Sequence, residues 1–245
     1  MEQLNINGWS NFPEAIIFDL DFTLWPLYMD SYTSGPPFKR IDNFSIQDWS
    51  GEKVSLYPDV HDIIHAIREH RTDTKIGIAS RSHTGDWCRA AIQLLPIRKP
   101  HLPETSEDHL PLHSYIDAHE IYPGSKTTHF RALSEKLEVD LSSMLFFDDE
   151  QRNITEIGKM GVTCILVKNG LCIKDFHRGL AEYQAKKAAS GVMRNWLAAG
   201  GGGSSSNKRD KRARERKGEA YDEEDGASGG VVRKVATSSE GVDLD

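Results

Sequence analysis

The sequence predicts an α/β fold in which a three-layer parallel sheet is covered by helices on both faces, with a small flap and a minimal cap. Three observations carry this. Short unbroken apolar runs alternate with helical periods through most of the first 198 residues, and polar residues cluster where the runs end. Two Pro-containing segments interrupt the alternation, which resumes after each of them.

Taken in order, Ala15 to Leu20 (AIIFDL) reads as a buried strand, because apolar residues without period-2 alternation suit a strand covered on both faces. Val60, Ile63, Ile64 and Ile67 then fall at i, i+3, i+4 and i+7, with Pro58 near the helix start. Lys75 to Ser80 (KIGIAS) makes the second strand. Trp87, Ala91 and Leu94 line a helical face, Ile116 to Tyr122 is a weaker strand, and Phe130, Leu133 and Leu137 mark another helix. Met144 to Asp149 (MLFFDD) is the third clear strand. A short helix through Ile154, Ile157 and Met160 stops near Gly161, followed by a strand over Val162 to Val167 and a helix from Lys174 to about Leu197.

The interruptions are Asp21 to Tyr57 and Lys99 to His113, both long for a compact domain. The first holds Pro26, Gly35, Pro36, Pro37 and several aromatics, and is expected to form a hairpin or flap over the end of the sheet. The second, KPHLPETSEDHLPLH, is expected to be a surface insertion. From residue 199 the composition changes to Gly and Ser, then to blocks of like charge, so residues 199–245 are expected to be a disordered tail that cannot bury enough apolar surface to offset its ordering entropy. Within it, Lys208 to Lys217 holds seven basic side chains against Asp210 and Glu215. That block reads first as a solvated charge run, with a nuclear-import or nucleic-acid tether as the alternative.

Of the 245 residues, 38% are hydrophobic and 27% charged, and the net charge is −7, which argues against a whole-surface nucleic-acid binder. No stretch approaches the roughly 18 consecutive apolar residues of a membrane span. Met1 to Phe12 is polar without a secretory pattern, and Cys88, Cys164 and Cys172 are widely spaced with no C-x-x-C pair, so an intracellular, chiefly cytoplasmic setting is expected. The ten histidines are read as scattered surface groups.

Chemistry is signalled where the strands end. The first run closes in Asp19-Leu20-Asp21-Phe22-Thr23, the second in Ser80-Arg81-Ser82, and the third in Asp148-Asp149. In an open α/β sheet that edge is where ligands bind. Several carboxylates gathered there repel one another unless a cation sits among them, and a hard divalent ion with oxygen ligands, Mg2+, fits that requirement. Lys126 opens a helix after the weak strand and reaches the same edge. The positive end of a helix disfavours a Lys, so a functional reason for it gains weight.

The ordered set of D-x-D-x-T, a strand ending in Ser, a Lys and a strand ending in Asp-Asp resembles the haloacid dehalogenase-like (HAD-like) phosphohydrolases. The four motifs correspond to IIFDLDFTL, IGIAS, Lys126 and LFFDD. The runs LYPDV, EIYPGSKTTHF, FFDDEQRNI and GVTCILV extend the likeness to the magnesium-dependent phosphatase-1 group of that superfamily, over about Ala15 to Tyr183. The Lys99 to His113 insertion and the tail depart from it without touching a motif. The resemblance implies a Rossmann-like sheet and Mg2+-dependent hydrolysis of a phosphomonoester, either a phosphoprotein (phosphotyrosine) or a phosphorylated small molecule such as a sugar adduct on an amine.

It also implies roles. Asp19 is expected to be the nucleophile and a metal ligand, Asp148 a direct metal ligand, and the Asp21 carbonyl a third ligand, while Asp149 holds a metal-bound water. The Asp21 side chain is expected to act as general acid and then general base. Ser80 and Lys126 are expected to hold the phosphoryl oxygens, with Arg81 as a second cationic grip. Thr23 is expected to fix the Asp21 side chain, and Asn153 to support the Asp148-Asp149 loop or cap its helix.

Two other classes are weighed against this. A receiver-like phosphoacceptor module also uses an acidic Mg2+ pocket with a Ser or Thr and a Lys, but it expects its acidic pair before the phosphoacceptor strand and has no acid/base two residues after it. A binding protein without catalysis, contacting nucleic acid through its tail, is separable by salt-titrated binding with and without residues 200–245.

Overall fold

The computed structural model describes Leu4 and residues 6–198 apart from 101, 104 and 107. The expected tail over residues 199–245, including Lys208 to Lys217, lies outside the described residues.

In chain order the elements are β1 (Ala15–Phe18), α1 (Met29–Tyr32), β2 (Lys39–Arg40), β3 (Ser45–Gln47), β4 (Lys53–Ser55), α2 (Pro58–His70) and β5 (Lys75–Ser80). They continue with α3 (Gly85–Ile92), β6 (Ala118–Ile121), α4 (Lys126–Leu137), β7 (Met144–Asp148), α5 (Gln151–Gly158), β8 (Thr163–Leu166) and α6 (Ile173–Ala198). The main sheet has the order β6-β5-β1-β7-β8, and all its pairings are parallel. It is the helix-covered parallel sheet that the apolar runs predict, and the Rossmann-like three-layer α/β arrangement that the resemblance implies.

β1 lies at the centre, with Ile17 opposite Gly77 on one side and Phe146 on the other. Its four residues are all buried, as a strand covered on both faces must be. Side chains alternate across the sheet. Ile16 and Phe18 join a core with α2, α3 and α6 through Ile63, Ala91 and Phe176. Ala15 and Ile17 face the opposite core with α4 and α5 through Phe130, Leu133 and Ile157. Gly77 lets this layer close: a Cβ there would stand 2.6 Å from Ile17 Cδ1, and its next neighbours would be Leu137 and Leu133 of α4.

From β1 the chain moves outward through β5 and β6 on one side, then crosses to β7 and β8 on the other. The carboxyl end of β1 is therefore the switch point, where two diverging connections leave a crevice.

Residues 21–57 contain α1 and a small antiparallel sheet, β2-β3-β4, with Ile46 opposite Val54. Both side chains are fully buried in the α2-side core, which fixes this flap to the body. The insertion is closed at its base, where Ile97 N donates to Leu110 O at 2.8 Å and Leu112 N to Leu95 O at 2.7 Å. His109 pins its interior, since Nδ1 accepts from Lys99 N and Nε2 faces Pro103 O, each at 3.2 Å.

The histidine reading needs correction. His61, His109 and His129 are 5%, 2% and 0% exposed. Their ring nitrogens meet backbone groups, which meets the hydrogen-bonding demand of buried imidazoles.

Candidate active site

Asp19 follows β1 directly, and its amide still donates to Phe147 O at 3.0 Å, so the sheet itself fixes its place. The chain then turns sharply. Leu20 O accepts from the amides of Thr23 and Leu24 at 3.2 and 2.8 Å, and Phe22 takes a left-handed φ of 53°. That turn presents Asp21 to the same crevice as Asp19. Lys126 arrives from the first turn of α4, where Ser125 caps the helix by accepting from the Thr127 amide at 3.2 Å.

Lys126 Nζ donates to Asp19 Oδ1 at 2.6 Å and also to Asp148 Oδ2. All three groups are buried. Burial works against the Lys126 charge, but Asp19 and Asp148 outweigh it and hold the ammonium protonated. The Asp19 carboxyl is pushed well above the ordinary range by burial, and Asp148 adds to this against the pull of Lys126. Burial and then Asp148 raise Asp149 to about 6. One ammonium does not neutralise this group of carboxylates.

Ligand oxygens of Asp19, Asp148 and Asp149 all lie within 4.8 Å of one another, the one such set among the described residues. Three hard oxygen donors with an excess of negative charge fit Mg2+. Asp148 is oriented independently of any ion. Its Oδ1 accepts from Glu150 N at 2.8 Å, and Asn153 Nδ2 reaches both of its oxygens.

A cleft of about 180 Å³ opens over these residues and is lined by Asp19, Asp21, Ser80, Arg81, Lys126 and Asp149, among others. Ser80 ends β5 at 1% exposure, with its Oγ accepting from Ser82 N at 3.2 Å. Arg81 stands at the rim, where Nε donates to Gly124 O at 2.8 Å and one terminal nitrogen lies 3.3 Å from Glu150. A buried cation, buried carboxylates and a hydroxyl around a phosphate-sized space suit phosphoryl chemistry.

The model of the family described as Acid Phosphatase matches residues 11–186, which include every residue just placed. The chain belongs to the acid phosphatase family. A human protein named magnesium-dependent phosphatase 1 is 36% identical over 187 residues, spanning 76% of this chain and 94% of that protein. A Schizosaccharomyces pombe protein described as a HAD-like hydrolase superfamily protein is 32% identical, over 67% of this chain and 92% of its own length. The solved structure of a HAD-superfamily hydrolase from Ehrlichia chaffeensis matches 71% of this chain and 98% of its own with a TM-score of 0.47 at 14% identity.

This acid phosphatase family member is thus a phosphatase of the HAD-like superfamily, which sets aside the receiver-like and non-catalytic readings. Among its described residues no helix is long and apolar enough to cross a membrane.

The structure brings together Asp19, Asp21, Ser80, Arg81, Lys126, Asp148, Asp149 and Asn153. Thr23 departs from its expected part. Its buried hydroxyl finds no partner, and Asp21 Oδ1 accepts instead from Trp25 Nε1 at 2.6 Å and Met29 N at 3.3 Å. The turn at Phe22 brings residue i+4, rather than i+2, against the carboxylate. Asn153 lies inside α5 and contacts Asp148, so of its two expected parts it takes the supporting one. Glu150 escaped the sequence reading. Its Oε2 accepts from Arg81, Arg152 and Asn153, tying the rim together.

Proposed function

We propose that this phosphatase hydrolyses phosphomonoesters in two steps through an aspartyl-phosphate on Asp19, with Mg2+ held by the Asp19 and Asp148 carboxylates and the Asp21 carbonyl, and with Asp149 beside them in a supporting place. The observation that carries the reading is the Lys126 ammonium, buried 2.6 Å from Asp19 and also bonded to Asp148, at the floor of the cleft. When bound, Mg2+ neutralises the carboxylates and draws charge from the phosphoryl oxygens.

In the first step an oxygen of Asp19 bonds to phosphorus as the ester P–O bond breaks, and Asp21 gives its proton to the departing oxygen. In the second, Asp21 takes a proton from water, whose oxygen bonds to phosphorus, and the Asp19–phosphorus bond breaks. Phosphate leaves and the carboxylate is restored. Burial raises Asp21 to about 6, against the pull of its Trp25 and Met29 hydrogen bonds, which suits a group that both gives and takes a proton near neutrality. Lys126 and Ser80 receive the phosphoryl oxygens, and Arg81 grips from the rim.

The cleft is small and its rim carries the exposed Tyr28 ring and the half-exposed Arg81. A phosphoryl group on a larger body can enter while that body stays outside. Phosphotyrosine in a protein and a fructosamine-type sugar phosphate are the two substrates that fit this reading. Phosphate release from a generic aryl phosphate, measured with Mg2+ and with EDTA in wild type and Asp19→Asn, tests the proposal. Activity is expected only in wild type with Mg2+, and an unchanged rate in Asp19→Asn overturns the nucleophile assignment. Comparing kcat/KM for a phosphotyrosine peptide and a fructosamine phosphate then decides the substrate.

A further inference from the structure

The indole of Trp25 is fully buried, yet its Nε1 is spent on the carboxylate of Asp21 at 2.6 Å. A buried indole N–H needs an acceptor, and it can only donate. The Met29 amide, also a pure donor, meets the same oxygen, Oδ1, at 3.3 Å. Both N–H groups therefore converge on one oxygen of a two-oxygen group. Oδ1 is held as an acceptor, and Oδ2 is the oxygen left for proton exchange in the cleft that Asp21 lines.

The arrangement is rigid at its base. Leu20 O accepts from the amides of Thr23, Leu24 and Trp25, and Tyr57 N donates to Leu24 O at 2.9 Å, so the segment bearing the indole is tied to the start of α2. The nearby hydroxyl of Thr23, which is also buried, plays no part in holding the carboxylate.

We propose that Trp25 is a positioning residue for the acid/base Asp21: its N–H fixes which carboxyl oxygen accepts a hydrogen bond and which one exchanges the proton with the leaving group. This rests on the acid/base reading given under the proposed function. Without the N–H the carboxyl can rotate, and either oxygen can carry the proton, so the leaving oxygen meets the proton in fewer of the bound complexes.

The readout is leaving-group dependence, which a packing role does not move. An alkyl phosphate departs as a strongly basic oxygen and needs a proton, whereas a dinitrophenyl phosphate departs as a stable anion and does not. Both esters are assayed at one pH with saturating Mg2+ in wild type, Trp25→Phe and Asp21→Asn. Trp25→Phe is expected to lower kcat/KM, which reports only the steps up to departure of the leaving group, by about tenfold or more for the alkyl ester, a part of what proton transfer contributes, while leaving kcat/KM for the dinitrophenyl ester almost unchanged. An equal loss on both esters, or no loss on either, overturns the proposal.

Should Trp25→Phe fail to fold, site-specific replacement of Trp25 by benzothienylalanine keeps the ring shape and removes only the N–H, with the same two outcomes. Asp21→Asn separates the two layers of the argument. If Asp21→Asn discriminates between the esters and the Trp25 variants do not, the positioning role is wrong and the acid/base reading stands. If Asp21→Asn does not discriminate either, both are overturned.

Discussion

The side-chain amide of Asn153 donates to both oxygens of Asp148, at 3.0 and 3.1 Å, from the first turn of the following helix. A carboxylate with both oxygens engaged cannot swing, so Asp148 is aimed before any ion arrives. Outer partners of this kind set ligand orientation and affinity. Asn153→Ala is expected to raise the Mg2+ concentration for half-maximal activity by about 10- to 100-fold. A Mg2+ titration of the aryl phosphatase rate, repeated as a titration of Tm, measures the change.

Lys126 is the only described cation bonded to both Asp19 and Asp148. Lys126→Met keeps the apolar stem and leaves two buried carboxylates facing each other. In EDTA the variant is expected to lose about 3 to 5 kcal/mol of stability, the usual cost of removing one partner of a buried ion pair. Mg2+ is expected to restore part of it, because a divalent ion replaces the missing charge. Urea unfolding with EDTA and with Mg2+ gives both numbers, and equal losses in the two conditions contradict the electrostatic account.

Much of this geometry was legible in the residues. β1, β5 and β7 hold short apolar runs, and Asp19 just after β1, Ser80 closing β5 and Asp148 closing β7 stand out because polar side chains at the ends of buried strands must meet something. Lys126 stood out because the helix dipole disfavours it there. The link from Trp25 to Asp21 was not legible. It depends on the left-handed Phe22 closing the turn, and a residue other than Gly at positive φ leaves no compositional mark.

Residues 21–57, for which the sequence predicts a hairpin or flap, form a flap built on a three-stranded sheet. Its strands are two or three residues long, too short to show alternation. His109 hid for a different reason. The Pro-rich polar insertion reads as solvent-facing, and only the closed loop reveals that an imidazole serves its backbone from inside.

His61 gives the fold a measurable pH dependence. Burial, with Arg98 adding to it against Asp62, lowers this imidazole from 6.5 to about 4, and its Nδ1 accepts from the Arg98 amide. Between those values the unfolded chain is protonated at this ring and the folded chain is not. The unfolded state therefore binds more protons, and stability falls as pH drops from about 6.5 to about 4. The share from this ring is on the order of 2 to 4 kcal/mol at the acid end. His61→Gln keeps an acceptor and removes the titration, so its unfolding free energy is expected to change less than wild type between pH 7 and pH 4.5. Parallel slopes contradict the assignment.

The covalent step on Asp19 is the centre of the account. The most direct measurement is mass spectrometry of peptides from enzyme acid-quenched during turnover of an aryl phosphate with Mg2+. One phosphoryl group is expected on the peptide carrying Asp19, absent in EDTA and absent from Asp19→Asn. A phosphoryl group on a different residue, or turnover at the wild-type rate by Asp19→Asn, contradicts it.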